Sequence, residues 1–168
     1  MVLALALCAE PDLLIADELT TALDVSIQAQ IITLLKRLCR EHRTAVMLVT
    51  HDMGVIAETA DRVAVMYAGR IVETGPVDQI IARSLHPYTL GLMGSIPRLR
   101  DTAARLVQID GAMPRLDAMP PGCAFHPRCA HAGPRCAIER PEPATIGDSR
   151  VACLLHAGGV GAEQVRHG

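Results

Sequence analysis

Aromatic side chains are almost missing from this sequence, which has no tryptophan, one phenylalanine and two tyrosines. A core built mainly from aromatic rings is therefore excluded. Half of the residues are nevertheless apolar, so the 168 residues can bury a core of leucine, isoleucine, valine, alanine and methionine. Aliphatic cores of this kind are typical of α/β sheets that are flanked by helices.

A large excess of charge and a long hydrophobic run are also absent. The formal net charge of −2 gives the chain no strong attraction to nucleic acid or to an anionic membrane surface. No segment reaches the roughly 18 apolar residues that a membrane-spanning helix needs, so we expect any membrane association to depend on a partner protein. The apolar segment 1–9 carries no basic residue and is predicted to be a buried helix rather than a signal peptide.

Helix-like and strand-like spacings of apolar residues alternate along the first half of the chain. This alternation predicts an α/β fold with a parallel sheet and crossover helices, followed by a hairpin. The strands at 12–17 and 44–50 are continuously apolar, so we expect both of their faces to be buried. The predicted elements are a helix at 1–9, a strand at 12–17, a helix at 25–42, a strand at 44–50, a helix at 53–60 and hairpin strands at 63–67 and 71–73.

Charged side chains follow two of the predicted strands. Asp17 and Glu18 end the first strand, Asp24 precedes the next helix, and His51 follows the second strand. Ligands of parallel α/β sheets bind outside the carboxyl ends of the strands, so these side chains are predicted to share a site. A structural alternative exists for each residue alone: the two acids cap the strand end and His51 satisfies a buried backbone group.

The segment from Glu10 to Gly75 resembles the C-terminal half of an ATP-binding-cassette (ABC) ATPase. Three short motifs carry this resemblance, in the family's order: Leu13–Glu18, Thr21–Asp24 and Val49–Asp52. Three later segments are similar to the oligopeptide/dipeptide importer branch of that family: Tyr67–Pro76, His86–Thr89 and Gly122–Cys129. Each motif alone is weak, but their shared order and spacing make coincidence a poor explanation.

The resemblance implies a role for each charged residue. Asp17 would hold Mg²⁺ through water, and Glu18 would act as the general base on the attacking water. His51 would contact the γ-phosphate of ATP, and Asp24 would end the D-loop (Thr21–Asp24) at the interface between two cassettes. The implied cofactors are therefore ATP and Mg²⁺.

The resemblance also implies an activity and partners. ATP hydrolysis would drive the import of dipeptides or oligopeptides, although the transported solute, a peptide or nickel, is not fixed by this chain. The implied partners are a second ABC ATPase subunit, membrane permease subunits and, indirectly, an extracytoplasmic peptide-binding protein, with no nucleic acid. The expected location is the cytoplasmic face of the cell membrane.

A phosphate-binding loop of the form G-x-x-x-x-G-K-[ST] is absent from this sequence. The backbone N–H groups and the lysine of such a loop bind the phosphates of ATP. The Q-loop and LSGGQ segments also lack counterparts, so the pattern predicts a chain that begins inside a domain. We expect the chain alone to show no saturable ATP binding, and to expose apolar sheet surface that makes it unstable or prone to aggregation.

The composition changes after Gly75–Pro76. Short helices are predicted to begin at Pro76 and at His86, and the chain beyond residue 97 is rich in proline and holds four of the six cysteines. We therefore expect a partial ABC ATPase domain at 1–84, an importer-type extension at 85–156 and a disordered tail at 157–168.

The cysteines of the extension form a second group of candidate ligands, which consists of Cys123, Cys129, Cys136 and Cys153. In a reducing compartment, four thiols in a proline-rich segment favour a metal site over disulfides. Four cysteines fit tetrahedral zinc or a [4Fe–4S] cluster, and their spacings match no C-x-x-C zinc template. The family resemblance favours iron–sulfur. Two alternatives stay open: unliganded thiols in a small packed module, and a non-catalytic metal-binding module that regulates or docks on a degenerate cassette.

Overall fold

The computed structural model describes residues 2–18, 24–95, 109–115 and 117–157. The chain divides into a first compact unit that ends at Ala60 and a second that begins at Asp61. The first unit contains a parallel sheet and the second an antiparallel sheet, so the fold is mixed α/β. In the described segments, no helix combines the length and the apolar character needed to cross a bilayer.

The first unit is built around two parallel strands, as the alternating pattern predicts. Strand β1 (Leu13–Asp17) pairs in register with β2 (Ala45–Val49), so that Asp17 lies opposite Val49. The helices of this unit are α1 (Val2–Leu7), the crossover helix α2 (Val25–His42) and α3 (Met53–Thr59). The limits of α2 are those predicted from its apolar spacing. Its last turn carries the basic residues Arg40 and His42, which are favourable near the negative, C-terminal end of the helix dipole.

Strand β1 is covered on one face and open on the other, whereas β2 has no fully buried residue. Leu14 and Ala16 of β1 are buried, and Leu14 packs with Leu35 and Cys39 of α2 in a small apolar core. The prediction that both faces are buried is wrong for this chain, because α2 covers only one face of the pleat. The prediction of an exposed apolar surface is confirmed. The exposed apolar residues of the two strands are Leu13, Ile15, Val46, Met47 and Val49.

Helix α1 is also more exposed than predicted. The side chain of Leu5 is 77% exposed, so the expectation of a buried helix at 1–9 is wrong for this chain. Among the residues of α1, only Ala6 packs against the core cluster of Leu14, Leu35 and Cys39 in the described part of the chain.

The second unit contains a four-stranded antiparallel sheet in the order β3–β4–β6–β5. The predicted hairpin is present, and its strands turn at Ala68 and Gly69, which both have positive φ as a two-residue hairpin turn requires. The elements of this unit are β3 (Arg62–Tyr67), β4 (Arg70–Pro76), α4 (Val77–Ala82), α5 (Pro87–Gly94), β5 (Ala144–Ile146) and β6 (Ser149–Val151), with 3₁₀ helices at His126–Arg128, Pro134–Ala137 and Leu154–His156.

The antiparallel sheet joins the hairpin to the cysteine-bearing segment. Glu73 of β4 lies opposite Val151 of β6, and Thr74 lies opposite Arg150. The second compact unit therefore includes residues from both sides of position 84, and the domain limits given above stay a prediction. Apart from Ala157, the predicted tail lies outside the described residues, as does the segment 96–108.

Candidate functional site

The parallel pairing of β1 and β2 brings two of the predicted site residues together. The N–H of Glu18 donates to the carbonyl of Val49 at 2.9 Å, which extends the pairing one residue beyond β1. Both strands end at the same edge, and the Nδ1 atom of His51 lies 3.1 Å from Oε1 of Glu18. The pair is open to solvent, since 80% of the His51 side chain and 48% of the Glu18 side chain are exposed. A polar contact so exposed adds little stability.

The backbone of Glu18 has an unusual conformation. Its φ is 46°, in the left-handed region that costs a non-glycine residue roughly 1–2 kcal/mol. The chain turns sharply there, directly after the exposed Asp17, and the Glu18 side chain meets His51. Backbone strain of this kind is concentrated at functional sites.

Asp24 lies at the start of α2. It occupies the N-cap position with an extended backbone, and its side chain makes no capping hydrogen bond. Its carbonyl accepts the N–H of Gln28 at 2.8 Å. Thr21, Ala22 and Leu23, the rest of the predicted D-loop, lie outside the described residues.

Sequence reasoning missed the role of Asp52, which follows His51. Its Oδ1 accepts the N–H groups of Gly54 and Val55 at 2.8 and 3.2 Å and so caps α3. Its Oδ2 accepts a hydrogen bond from Nε2 of Gln28 at 3.2 Å. The cap has a sequence signal, an aspartate directly before a helix. The contact with Gln28 has none, because 24 positions separate the two residues.

All the aromatic residues of the chain meet in the second unit. The ring of Tyr67 lies 4.7 Å from that of Tyr88 and 5.1 Å from that of Phe125, measured between centroids. His86 completes the group at 5.7 Å from Phe125. The scarce aromatic side chains thus form one local core beside the cysteine-bearing segment.

A buried carboxylate fixes the start of α5 against this core. Glu73 is 1% exposed, and its two oxygens accept the N–H groups of Leu85 and His86 at 2.7 and 3.0 Å. The carbonyl of Leu85 lies 3.0 Å from Nε2 of His156, which therefore donates to it. Nδ1 of His86 accepts the N–H of Tyr88 at 3.0 Å and caps α5.

The pKa of His86 is lowered to about 4 from its ordinary 6.5, first by burial and second by the charge of His156. Between these two values the unfolded chain binds more protons than the folded one. We therefore expect the free energy of unfolding to fall by about 3 kcal/mol as the pH decreases from 6.5 to 4. Urea unfolding at several pH values measures this change.

The matched variant is His86→Asn, because asparagine keeps a capping acceptor for the N–H of Tyr88 and does not titrate. This variant should show a flatter dependence of stability on pH. An unchanged dependence would assign the acid sensitivity to other groups.

The four cysteines of the extension lie in one neighbourhood of the second unit. The pKa values of Cys123, Cys129 and Cys153 are raised, that of Cys153 to about 11, first by burial and also by the neighbouring thiols. The N–H of Cys123 donates to the carbonyl of Cys136 at 2.9 Å. Gly122 permits this approach, since its φ is 70° and an added Cβ would lie 2.5 Å from that carbonyl oxygen.

The thiols are close but do not surround a single point. All six cysteines of the chain are free. Within residues 2–18, 24–95, 109–115 and 117–157, no three His, Cys, Asp or Glu side chains are placed so that they could hold one metal ion. The structure thus brings the four predicted ligands together without the geometry of a zinc site.

Comparison with known proteins identifies the family. Residues 72–136 match the family described as "Oligopeptide/dipeptide transporter, C-terminal region". The oligopeptide transport ATP-binding protein AppD of Bacillus subtilis (strain 168) is 48% identical over 165 residues, which are 98% of this chain and 50% of that protein. The chain belongs to the oligopeptide/dipeptide transporter family of ATP-binding proteins.

Two further relatives agree with this family. The dipeptide transport ATP-binding protein DppD of Bacillus subtilis (strain 168) is 56% identical over 129 residues, or 77% of this chain and 38% of DppD. The oligopeptide transport ATP-binding protein OppD of Haemophilus influenzae is 52% identical over 138 residues, or 82% of this chain and 43% of OppD. The chain therefore spans about half the length of the curated relatives that it matches.

Proposed function

We propose that the chain supplies the catalytic edge of an ATP-hydrolysing subunit of a peptide importer. The observation that supports this most directly is the 3.1 Å contact between Nδ1 of His51 and Oε1 of Glu18 at the carboxyl end of the parallel strands. The names of the relatives, which are peptide-transport ATP-binding proteins, indicate the substrate class.

The residues at this edge have the chemistry that phosphoryl transfer to water needs. Glu18 accepts the proton of the water whose oxygen attacks the γ-phosphorus, and ADP leaves with the electron pair of the broken bond between that phosphorus and the bridging oxygen. Nδ1–H of His51 orients the Glu18 carboxylate. Asp17 would hold Mg²⁺ through water, since exposed carboxylate oxygens are ligands that this ion accepts. Mg²⁺, when bound, neutralises charge that develops on the phosphates.

Other parts of the importer complete the proposal. The phosphates would be bound by a loop that this sequence does not contain, in a protein about twice as long. Asp24 would face a second ATPase subunit. Permease subunits would attach the assembly to the cytoplasmic face of the membrane, and an extracytoplasmic binding protein would deliver the peptide.

The test is peptide-stimulated ATP hydrolysis by the full-length protein, assembled with its permeases in vesicles and compared with its Glu18→Gln variant. Hydrolysis that requires both Mg²⁺ and Glu18 supports the proposal. An assembly that hydrolyses ATP equally fast without the Glu18 carboxylate would contradict it.

A second candidate function rests on the cysteines. We propose that Cys123, Cys129, Cys136 and Cys153 hold a [4Fe–4S] cluster, with zinc as the alternative, in a module that regulates or docks rather than catalyses. The observation in its favour is the close approach of the cysteine-bearing segments, in which the N–H of Cys123 donates to the carbonyl of Cys136 at 2.9 Å. One zinc ion needs its sulfurs at about 2.3 Å from a common centre, whereas a four-iron cluster separates its cysteine ligands more widely.

We expect the full-length protein, purified without oxygen, to contain about four iron and four sulfide per chain. Cys129→Ser should lose this content, and the control Cys8→Ser, at an exposed cysteine of the first unit, should keep it. Metal analysis and visible absorbance measure the content. One zinc per chain would select the alternative, and a well-folded protein without metal would leave the thiols unliganded.

A further inference from the structure

A hydrogen bond joins the first turn of α2 to the residue that directly follows His51. Nε2 of Gln28, in the first turn of α2, donates to Oδ2 of Asp52 at 3.2 Å. Gln28 lies four residues after Asp24, and Asp52 directly follows His51. Both side chains are partly buried, so water competes less for this bond than for one at the surface.

The remaining bonds of Asp52 hold the backbone around His51. Oδ1 of Asp52 accepts from the N–H groups of Gly54 and Val55, and its own N–H donates to Oγ1 of Thr50 at 3.1 Å. His51 therefore lies between two anchored residues. Because most of its side chain is exposed, the position of its ring depends on this backbone more than on packing.

The other end of the link reaches the predicted D-loop. The N–H of Gln28 donates to the carbonyl of Asp24 at 2.8 Å, which forms the first turn of α2. A displacement of Asp24 would therefore also displace Gln28, and the hydrogen bond from Gln28 would transmit this displacement to Asp52. A contiguous series of bonds thus runs from Asp24 through Gln28 and Asp52 to the His51–Glu18 pair.

We infer that Gln28 is a positioning residue for ATP hydrolysis. Through Asp52, Gln28 holds His51 in a fixed position relative to Asp24, the last residue of the predicted D-loop. The inference rests on the proposed function. Gln28 does not touch the reacting atoms; its amide determines where His51 stands relative to Glu18. Contact of Asp24 with a second subunit would in this way set the position of His51.

The test measures kcat and KM for ATP in the full-length protein assembled with its partners. Gln28→Glu places a carboxylate against that of Asp52, so we expect kcat to fall about tenfold while KM stays within about twofold. Asp52→Asn alone should lower kcat less than Gln28→Glu does, because the amide of Gln28 can rotate and accept from the new amide while Oδ1 still caps α3. In the double variant the new amide donates to the new carboxylate, so kcat should recover.

The control is Lys36→Met. Nζ of Lys36 donates to the carbonyl of Glu58, so this variant removes another bond between α2 and α3 away from His51. We expect it to leave kcat unchanged, and an equal loss in Lys36→Met would reduce the role of Gln28 to general packing and overturn the inference. Gln28→Met, which removes the bond without adding charge, should also be slow if Gln28→Glu does not fold.

Two outcomes would overturn the inference directly: native hydrolysis by both Gln28 variants, or a double variant as slow as Gln28→Glu alone. The Glu18→Gln variant separates these results from failure of the proposed function. If hydrolysis does not depend on Glu18, the proposed function is wrong and the inference falls with it. If it depends on Glu18 and not on Gln28, only the inference is wrong.

Discussion

Glu18→Gln is expected to lower the rate of ATP hydrolysis by the assembled importer by about a hundredfold or more, with ATP still bound. Glutamine keeps the shape of the side chain but cannot accept the proton of the attacking water, and general-base catalysis contributes about 10²–10⁴ in rate. Its amide oxygen can still accept from His51, and its Cβ leaves the backbone strain at φ 46° unchanged. Phosphate release at saturating ATP measures the loss, and retention of labelled nucleotide measures binding.

The matched control for this substitution is Glu41→Gln. Glu41 lies in the last turn of α2, where it pairs with Arg37 at 3.8 Å on an exposed surface. Loss of such a pair costs little, so the rate should stay native. A rate that falls equally in both variants would indicate an effect of lost charge in general, and a native rate in Glu18→Gln would require another base.

The site at the end of β1 could be predicted because its geometry follows from strand order. Residues that follow adjacent parallel strands meet at one edge, so Glu18 and His51 could be placed together from the apolar runs alone. The link between Gln28 and Asp52 could not, because it depends on how α2 is rotated about its axis. An apolar spacing fixes which face of a helix is buried, and it does not fix which neighbour an amide at the edge of that face reaches.

The second unit was harder to predict for a different reason. Strands β5 and β6 have three residues each, too few for an alternation of apolar and polar residues to be recognised in the sequence. Strand β6 pairs with β4 and β5 pairs with β6, so both depend on tertiary contacts, among them the bond from the N–H of Ala152 to the carbonyl of Val72. The burial of the first unit's sheet could not be predicted from its apolar runs. The side chains of Ile15 and Met47 favour burial, but the sequence does not show whether another element packs over them, and both are exposed.

Glu73 shows how much an unpredicted buried group can stabilise. Glu73→Gln is expected to lower the free energy of unfolding of the second unit by about 3 kcal/mol. A carboxylate accepts both N–H groups of Leu85 and His86, whereas an amide offers one acceptor and turns its NH₂ toward the other N–H. The loss combines weakened charge-assisted bonds with one buried donor left unpaired, at about 1–3 kcal/mol each.

Near-ultraviolet circular dichroism in urea can follow this loss selectively in the 168-residue chain, since Tyr67 and Tyr88 are its only tyrosines and it has no tryptophan. The matched control is Glu139→Gln, which removes a carboxylate that binds Arg135 through two bonds of 2.9 Å at the surface. That pair should contribute less than about 1 kcal/mol. Equal urea midpoints for the two variants would mean that the carboxylate of Glu73 contributes no more than a surface pair. A much lower midpoint for Glu73→Gln would identify this buried acid as the residue that holds the start of α5 to the sheet.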